Sequence, residues 1–461
     1  MDQLKKKNIV IIGAGITGLT LLHFLMQKYK DRPDVDVWLF EKNDQPGGTI
    51  RSISKAGGLF EAGPSGFLGI KERTFQLIDA LNARDELLEA EAQAKARHIC
   101  VNNILYQLPA DFKTFFGFKL LNIFEKMRFL SEAFVKKTDC PSESVYDFAK
   151  RRFGQKAADY LADPFVAGIY AGEARTICLK AAFPQIYAWE QQYGSILKAA
   201  RRTAKNRTKP VLYSFKNGMG QIIDILYEKY KDRIKLKEEI IKVFLRESRY
   251  VISTDKENYK ADELYVCTPA YAAAQLMKHL DQEIADELMY ITYAPVAVVG
   301  LLCPDDVFKR KPYGFGYLVP SLENKEILGV LFESNVFANR APKNHILFRV
   351  MVGGSRYPDI FQKSKKEILE LAMEEIGTVF PTKGTSALTK IDLRKVMRET
   401  FLSVWDKAIP QYDQVNTQMQ EQIDKKLKRF RDLYLLGNYR DGVSFNDCIE
   451  SAYQAALSSS L

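Results

Sequence analysis

The sequence predicts an α/β protein whose parallel sheet is assembled from both ends of the chain, and three observations carry that expectation. Asn8–Ile12 is a short apolar run, typical of a strand buried on both faces. It enters Gly13-Ala14-Gly15-Ile16-Thr17-Gly18 ahead of a helical stretch, Leu19–Lys28. A second β-rich run, Val35–Phe40, ends at Glu41. Near the other terminus, Leu433–Asn438 reads as a strand running into a turn, and Gly442–Asp447 opens a helix that continues through Ala452.

Each part of the first unit has a physical task. Gly13 turns the chain tightly, Gly15 lets the backbone approach a pyrophosphate, and Gly18 allows the helix to pack closely on the strand. The phosphates then meet the positive end of the helix dipole around Ile16 and Thr17. Glu41, 23 residues after Gly18, is placed to accept hydrogen bonds from ribose hydroxyls. The continuation from Glu41 through Gly47-Gly48-Thr49-Ile50-Arg51-Ser52 resembles the second glycine motif of the flavin amine oxidase superfamily, which NAD dehydrogenases lack. That resemblance implies FAD as cofactor, with Lys42, Gly48, Thr49 and Arg51 along it. It also implies that the helix after Val443 directs its N-terminus at the flavin pyrimidine edge, where negative charge builds on reduction.

Composition narrows the class. A chain of 461 residues has room for two or three domains, and 27% charged with 46% apolar residues is the balance of a folded protein. Lys and Arg outnumber Asp and Glu by 67 to 57, a surplus that suits an anionic membrane surface or acidic substrates as well as simple solubility. No nucleic-acid motif accompanies it. Six dispersed cysteines without a C-x-x-C pair, and four scattered histidines, argue for a reducing compartment and against a metal centre. Lys5-Lys6-Lys7 before an apolar run imitates a signal peptide, but the glycines interrupt it and no cleavage site follows. No stretch is long enough to span a bilayer.

The middle of the chain must then be inserted into the nucleotide domain. The expected organisation is a discontinuous Rossmann-like FAD-binding domain (1–91, 206–270 and 400–461), a helical membrane-associating domain (92–205) and an inserted mixed-sheet substrate domain (271–399). Helix is expected over 71–91 and most of 143–205, strands over 234–267, and a mixed sheet over 291–356. From Asp111 to Lys137, Phe112, Phe115, Phe116, Phe118, Phe124 and Phe134 alternate with Lys113, Lys119, Lys126, Arg128, Lys136 and Lys137. This stripe suits either an amphipathic helical pair in the core or a monotopic contact with anionic lipid.

Beyond these elements, the chain resembles the oxygen-dependent protoporphyrinogen oxidases. The resemblance is carried by Glu61-Ala62-Gly63-Pro64-Ser65-Gly66-Phe67, by the run Asp159–Gly172, by Gly314–Pro320, by Leu328–Ser334 with Arg340-Ala341-Pro342, and by Trp405 with Ala408–Tyr412. It implies oxidation of a porphyrinogen to a porphyrin in three two-electron steps, with hydride passing to flavin N5 and dioxygen as acceptor. It further implies that Gly63, Pro64, Ser65, Gly66, Trp405 and Val443 lie along FAD, and that backbone near Val243 meets the adenine. Arg97 would hold a substrate propionate, Gly168 would lend backbone close to the macrocycle, and Leu328 and Phe348 would form apolar walls. No separate catalytic side chain is required. The implied setting is cytoplasmic, peripheral on the inner face of the cell membrane, and the family pattern admits a homodimer and hand-over to a metal-inserting chelatase. Gly437-Asn438 departs from the superfamily's terminal Gly-Asp, which removes a carboxylate. The run Gly168–Glu173 is equally similar to coproporphyrinogen III oxidases, the nearest alternative; amine oxidases and carotenoid desaturases are more distant ones.

Overall fold

The computed structural model describes residues 6–203, 210–383 and 393–460. Two sheets organise it. Their strands, in chain order, are β1 (Lys7–Ile12), β2 (Val35–Phe40), β3 (Arg97–Val101), β4 (Ile104–Gln107), β5 (Ile234–Lys235), β6 (Glu263–Val266), β7 (Tyr293–Pro304), β8 (Gly316–Leu318), β9 (Ile327–Phe332), β10 (His345–Gly353), β11 (Glu399–Pro410) and β12 (Leu433–Leu435). The first sheet has the order β5-β2-β1-β6-β12, with every pair parallel. The second runs β11-β7-β10-β9-β8-β3-β4 and is antiparallel except where β8 meets β3.

β1 is apolar without a break because both of its faces are covered. Ile9 and Ile11 enter one core, shared with α1 (Ile16–Lys28) and α2 (Phe445–Ser458), while Val10 and Ile12 enter a second. Small residues on α2 (Ala452, Ala455 and Ala456) are buried in the core that α1 also lines. At the far end of this pair, Lys28 Nζ donates to the carbonyls of Ala456, Leu457 and Ser459 at 2.9, 2.9 and 2.6 Å. Those are the carbonyls a helix end leaves without intrahelical partners. Lys28 thus ties the end of α1 to the end of α2.

Two expected boundaries move. β3 and β4 fall inside the stretch expected to be helical, and β11 falls inside the stretch assigned to the nucleotide unit, yet all three are hydrogen-bonded into the second sheet. β11 pairs with β7 from Tyr293↔Pro410 to Leu302↔Glu399. The helix expected over 71–91 covers only Glu72–Ala80, because Asn82 adopts φ +54° and the chain then extends into the strand Leu87–Glu89.

The aromatic stripe divides. Phe115, Phe118 and Leu121 are buried together, with Phe129 and Leu130 packed against them, so these positions are core. Lys126 and Arg128 also turn inward, onto the carbonyls of Phe116 and of Arg151 and Arg152. Phe124 and Phe134 are 81% and 89% exposed, and Phe116, Ile123 and Met127 are exposed beside them. Beneath lies a buried ion network. Arg152 contacts Glu132 at 2.9 Å and Glu190 at 2.5 Å, and Glu132 accepts from Ser195 Oγ at 2.5 Å and from Ile196 N at 2.9 Å. It fastens the segment Ser131–Phe134 to the helices Val145–Phe153, Pro184–Tyr193 and Ile196–Thr203. Arg152→Met would leave Glu132 without its counter-charge in the interior and Glu190 with Arg151 alone, 3.0 Å away. The expected loss is about 3–5 kcal/mol in urea unfolding, and a loss below about 1 kcal/mol would contradict this role.

Candidate active site

The glycine turn after β1 is built by steric necessity. Gly13 sits at φ +102°, and a Cβ on Gly18 would lie 1.9 Å from the Gly13 carbonyl oxygen. Gly15, by contrast, faces open space, and a Cβ there would meet nothing within 4 Å. It precedes α1, whose first turn has no side-chain cap and no acidic residue, so its N–H groups are left for an anion. Ile16 and Thr17 are buried in that turn. At the tip of β2, the Glu41 carboxylate accepts from Ala14 N and Asn43 N, both at 2.9 Å, and from Asn43 Nδ2 at 2.6 Å.

The second glycine motif folds onto the first. Gly47 N donates to Ala14 O at 2.7 Å, and a Cβ on Gly48 would stand 3.8 Å from Gly15 Cα. Lys42 and Thr49 are exposed, and Arg51 Nε donates to Gly48 O at 3.1 Å. The loop Gly63–Gly66 packs on this motif, since a Cβ on Gly63 would come within 2.1 Å of Thr49 O. Pro64 and Ser65 are half-buried there, and Trp405 Nε1 donates to Ala62 O at 2.9 Å. Val243 is fully buried opposite Ile252, in the core that holds Phe40. Val443 is half-buried next to Ser444, which caps α2 by accepting from Asp447 N at 3.1 Å. Thr17 reaches Cys448, so the starts of α1 and α2 adjoin. An open glycine backbone, an uncapped helix start and an acid at the second strand tip form a cradle that suits a dinucleotide.

The second sheet presents one registered row: Arg97, Gly316, Leu331, Arg349, Gly300 and Phe401 on successive strands β3, β8, β9, β10, β7 and β11. Paired residues on neighbouring strands share a face, so Arg97, Leu331 and Arg349 stand on the same side. Arg97 is exposed, with its guanidinium 4.8 Å from the Phe315 ring centre, and it pairs with no carboxylate among the described residues. Surrounding protein nonetheless desolvates it and lowers its pKa. Leu328 is buried with Ala167, Ala171, Val296 and Val298 on this side, and Gly168 packs so closely that a Cβ would meet Leu318 Cδ2 at 2.8 Å. Phe348 corrects the expectation. Its neighbours in the strand, Leu347 and Arg349, face the Arg97 side, whereas Phe348 is fully buried on the other face among Phe308, Phe332 and Phe380. It is a core residue and forms no wall of the cleft.

With this geometry in hand, residues 18–457 match the model of the flavin-containing amine oxidoreductases. The chain belongs to that family. Its cofactor is FAD. The chain is 26% identical over 480 residues to the chloroplastic protoporphyrinogen oxidase of Nicotiana tabacum, covering 97% of this chain and 84% of the relative. It is also 26% identical over 480 residues to the coproporphyrinogen III oxidase of Bacillus subtilis (strain 168), covering 99% and 98%. Among solved structures, a protein of Exiguobacterium sp. 255-15 provisionally named a protoporphyrinogen oxidase superposes with a TM-score of 0.81 at 22% identity, over 98% of both chains. A reduced UDP-galactopyranose mutase superposes at 0.73 and 16% identity, over 98% of this chain and 95% of its own. These last two likenesses concern the fold.

Sequence reasoning missed four ionic residues beside the Gly63 loop: Glu61, Glu333 and Arg340, which are buried, and Arg349, which is largely so. Both acids and Arg340 lay inside runs that carried the family resemblance, but charged residues are ordinarily surface residues and nothing local marks them as buried. Glu61 accepts from Ser52 Oγ at 2.6 Å and Met219 N at 2.8 Å, with Arg340 at 3.7 Å. Burial outweighs these partners and pushes its pKa up to about 7. The native state thus holds this proton more tightly than the unfolded chain does. Its contribution to stability is complete below the ordinary carboxyl value and is lost as pH rises through about 7. Between pH 5 and 7.5, Glu61→Gln should remove a decline on the order of 2–3 kcal/mol, read by urea unfolding at several pH values. An unchanged slope would contradict it.

Proposed function

We propose that the chain oxidises protoporphyrinogen IX to protoporphyrin IX, with dioxygen as the final acceptor, in a late step of heme formation. The observation that carries this reading is Arg97, a cation without a carboxylate partner among the described residues, on the sheet face that also buries Leu328, Val296 and Val298. Neighbouring cations are compensated: Arg349 lies 3.7 Å from Glu333 and Arg356 lies 2.9 Å from Asp163. Protoporphyrinogen carries its two carboxylates on one side of the macrocycle and is apolar around the rest, which suits a cleft with a cation at one end. Names of relatives aligned over nearly the whole chain support the same chemistry. The second reading, coproporphyrinogen III, draws on the Bacillus subtilis relative, which aligns over 98% of its own length.

FAD, held by the residues below, would supply the oxidant for three two-electron steps. The residues bind, orient and exclude water. Gly13, Gly15, Ile16, Thr17 and Gly18 receive the pyrophosphate, and Glu41 receives the ribose. Lys42, Gly48, Thr49 and Arg51, then Gly63–Gly66 and Trp405, follow the ribityl chain and ring, with Val243 toward the adenine and Val443 toward the pyrimidine edge. Arg97 grips a propionate, while Leu328 and the backbone at Gly168 flank the macrocycle. Exposed Phe116, Ile123, Phe124, Met127 and Phe134, with Lys113, Lys119, Lys136 and Lys137 around them, give the helical segment a membrane-facing surface. No helix among the described residues is long and apolar enough to cross a membrane.

Purified holoenzyme should convert protoporphyrinogen with a kcat/KM at least tenfold above that for coproporphyrinogen, followed by porphyrin fluorescence; the reverse preference would transfer the assignment to the second reading. Arg97→Ala should raise KM by about tenfold with FAD content unaltered, the scale of one charge-assisted hydrogen bond. Loss of FAD instead would mean that Arg97 supports the fold. Replacing Phe124 and Phe134 together by Ser should weaken flotation with phosphatidylglycerol-containing liposomes several-fold, and unchanged flotation would remove the membrane surface.

A further inference from the structure

Arg349 sits where the two halves of the site meet. Its guanidinium Nη2 donates to the carbonyl of Gly63, 286 residues away in sequence, and on its other side Nη1 lies 3.7 Å from Glu333 Oε1. Both Glu333 oxygens and Arg349 Nε are buried without hydrogen-bond partners, and so is Arg340 Nε. A void of about 10 Å³, the room of one water, lies among Phe60, Glu61, Gly300, Glu333, Arg349 and Phe401. As a stability device this group is poor, since half-satisfied buried charges are worth less than an apolar core of the same volume. Its one directed bond goes to the loop Gly63–Gly66. The same arginine stands in the registered row that ends at Arg97, three strands away, or roughly 14 Å at the usual strand spacing.

We propose that Arg349, charge-balanced by Glu333, is a positioning residue that clamps the Gly63 carbonyl and so fixes the FAD loop relative to the sheet face bearing Arg97. The inference rests on the Gly63–Gly66 loop lying along FAD, and it stands whichever porphyrinogen is the substrate. A carbonyl held by a largely buried guanidinium accepts a charge-assisted bond, stronger than a neutral one and fixed in direction. Arg349 touches no reacting atom; it acts through the backbone of the loop. Glu333 keeps the guanidinium in place and offsets its charge, which would otherwise be isolated in the interior.

The test uses holoenzyme diluted into buffer, with flavin release followed by the rise in flavin fluorescence and folding followed in parallel by far-UV circular dichroism. Arg349→Met should release flavin at least tenfold faster than the parent while the dichroism signal persists. Arg349→Lys, which keeps a donor and a charge, should return to within about threefold of the parent. Glu333→Gln should fall between the two. Release at the parental rate from Arg349→Met overturns the clamp. So does a lysine variant no better than the methionine one, or release that merely tracks loss of dichroism in every variant. Gly63→Ala separates this from the underlying reading, because its Cβ would strike Thr49 O at 2.1 Å and move the loop. If that variant keeps its flavin at the parental rate, the loop does not carry FAD. If it loses flavin while Arg349→Met does not, only the clamp fails.

Discussion

A parallel sheet cannot close on itself with hairpins, and that constraint shapes the whole molecule. β1 needs neighbours on both sides, and it takes β2 from nearby, β6 from the middle of the chain and, beyond β6, β12 from near its end. Each crossover must leave the sheet and return, so the intervening chain is available to build something else. Here it builds the second sheet and the helical segment. The return is secured by α2 lying on α1, by the shared core of Ile9, Ile11, Ile449 and Ala452, and by Lys28 closing the carbonyl end of α2. That pairing also places the starts of α1 and α2 side by side at Thr17 and Cys448, so the same contact that joins the chain's two ends shapes the cofactor cradle.

The second sheet solves a different problem. The proposed substrate, a mostly apolar macrocycle with an acidic edge, would need an apolar wall, an anchor for that edge and a fixed distance to the cofactor. A registered row of strands provides a wall whose side chains alternate between a dry core of Phe308, Phe332, Phe348 and Phe380 and a cleft face bearing Arg97, Leu331 and Arg349. Glycines 316 and 300 keep the row low between the larger side chains. Charge is distributed economically along it. Arg349 and Arg356 are matched by Glu333 and Asp163, which leaves Arg97 as a cation with recognition capacity.

How far this was legible in the sequence follows from how local each feature is. Gly13, Gly18 and Glu41 could be read because a tight turn, a close helix–strand approach and an acid at a strand tip are all specified within one βαβ unit. Phe348 could not, because the face a strand residue occupies depends on register, and a shift of one residue exchanges core for cleft. Arg349 and Glu333 were invisible for another reason: the partner of their ion pair, the Gly63 carbonyl, lies 286 residues from Arg349 in sequence. β11 was assigned to the wrong unit since it adjoins the C-terminal motif in sequence while pairing with β7 in space. Of the aromatic stripe, composition identified the segment, but only packing separates buried Phe115 and Phe118 from exposed Phe124 and Phe134.

The central claim is that the cradle and the cleft act together, so that a porphyrinogen held by the sheet reduces the flavin held by the chain's two ends. Anaerobic titration of the holoenzyme with protoporphyrinogen, following the flavin's visible absorbance, tests this most directly. Six electrons leave the substrate and each flavin takes two, so about three flavins should be bleached for each porphyrin formed. Flavin that stays oxidised in the presence of every porphyrinogen would contradict the account.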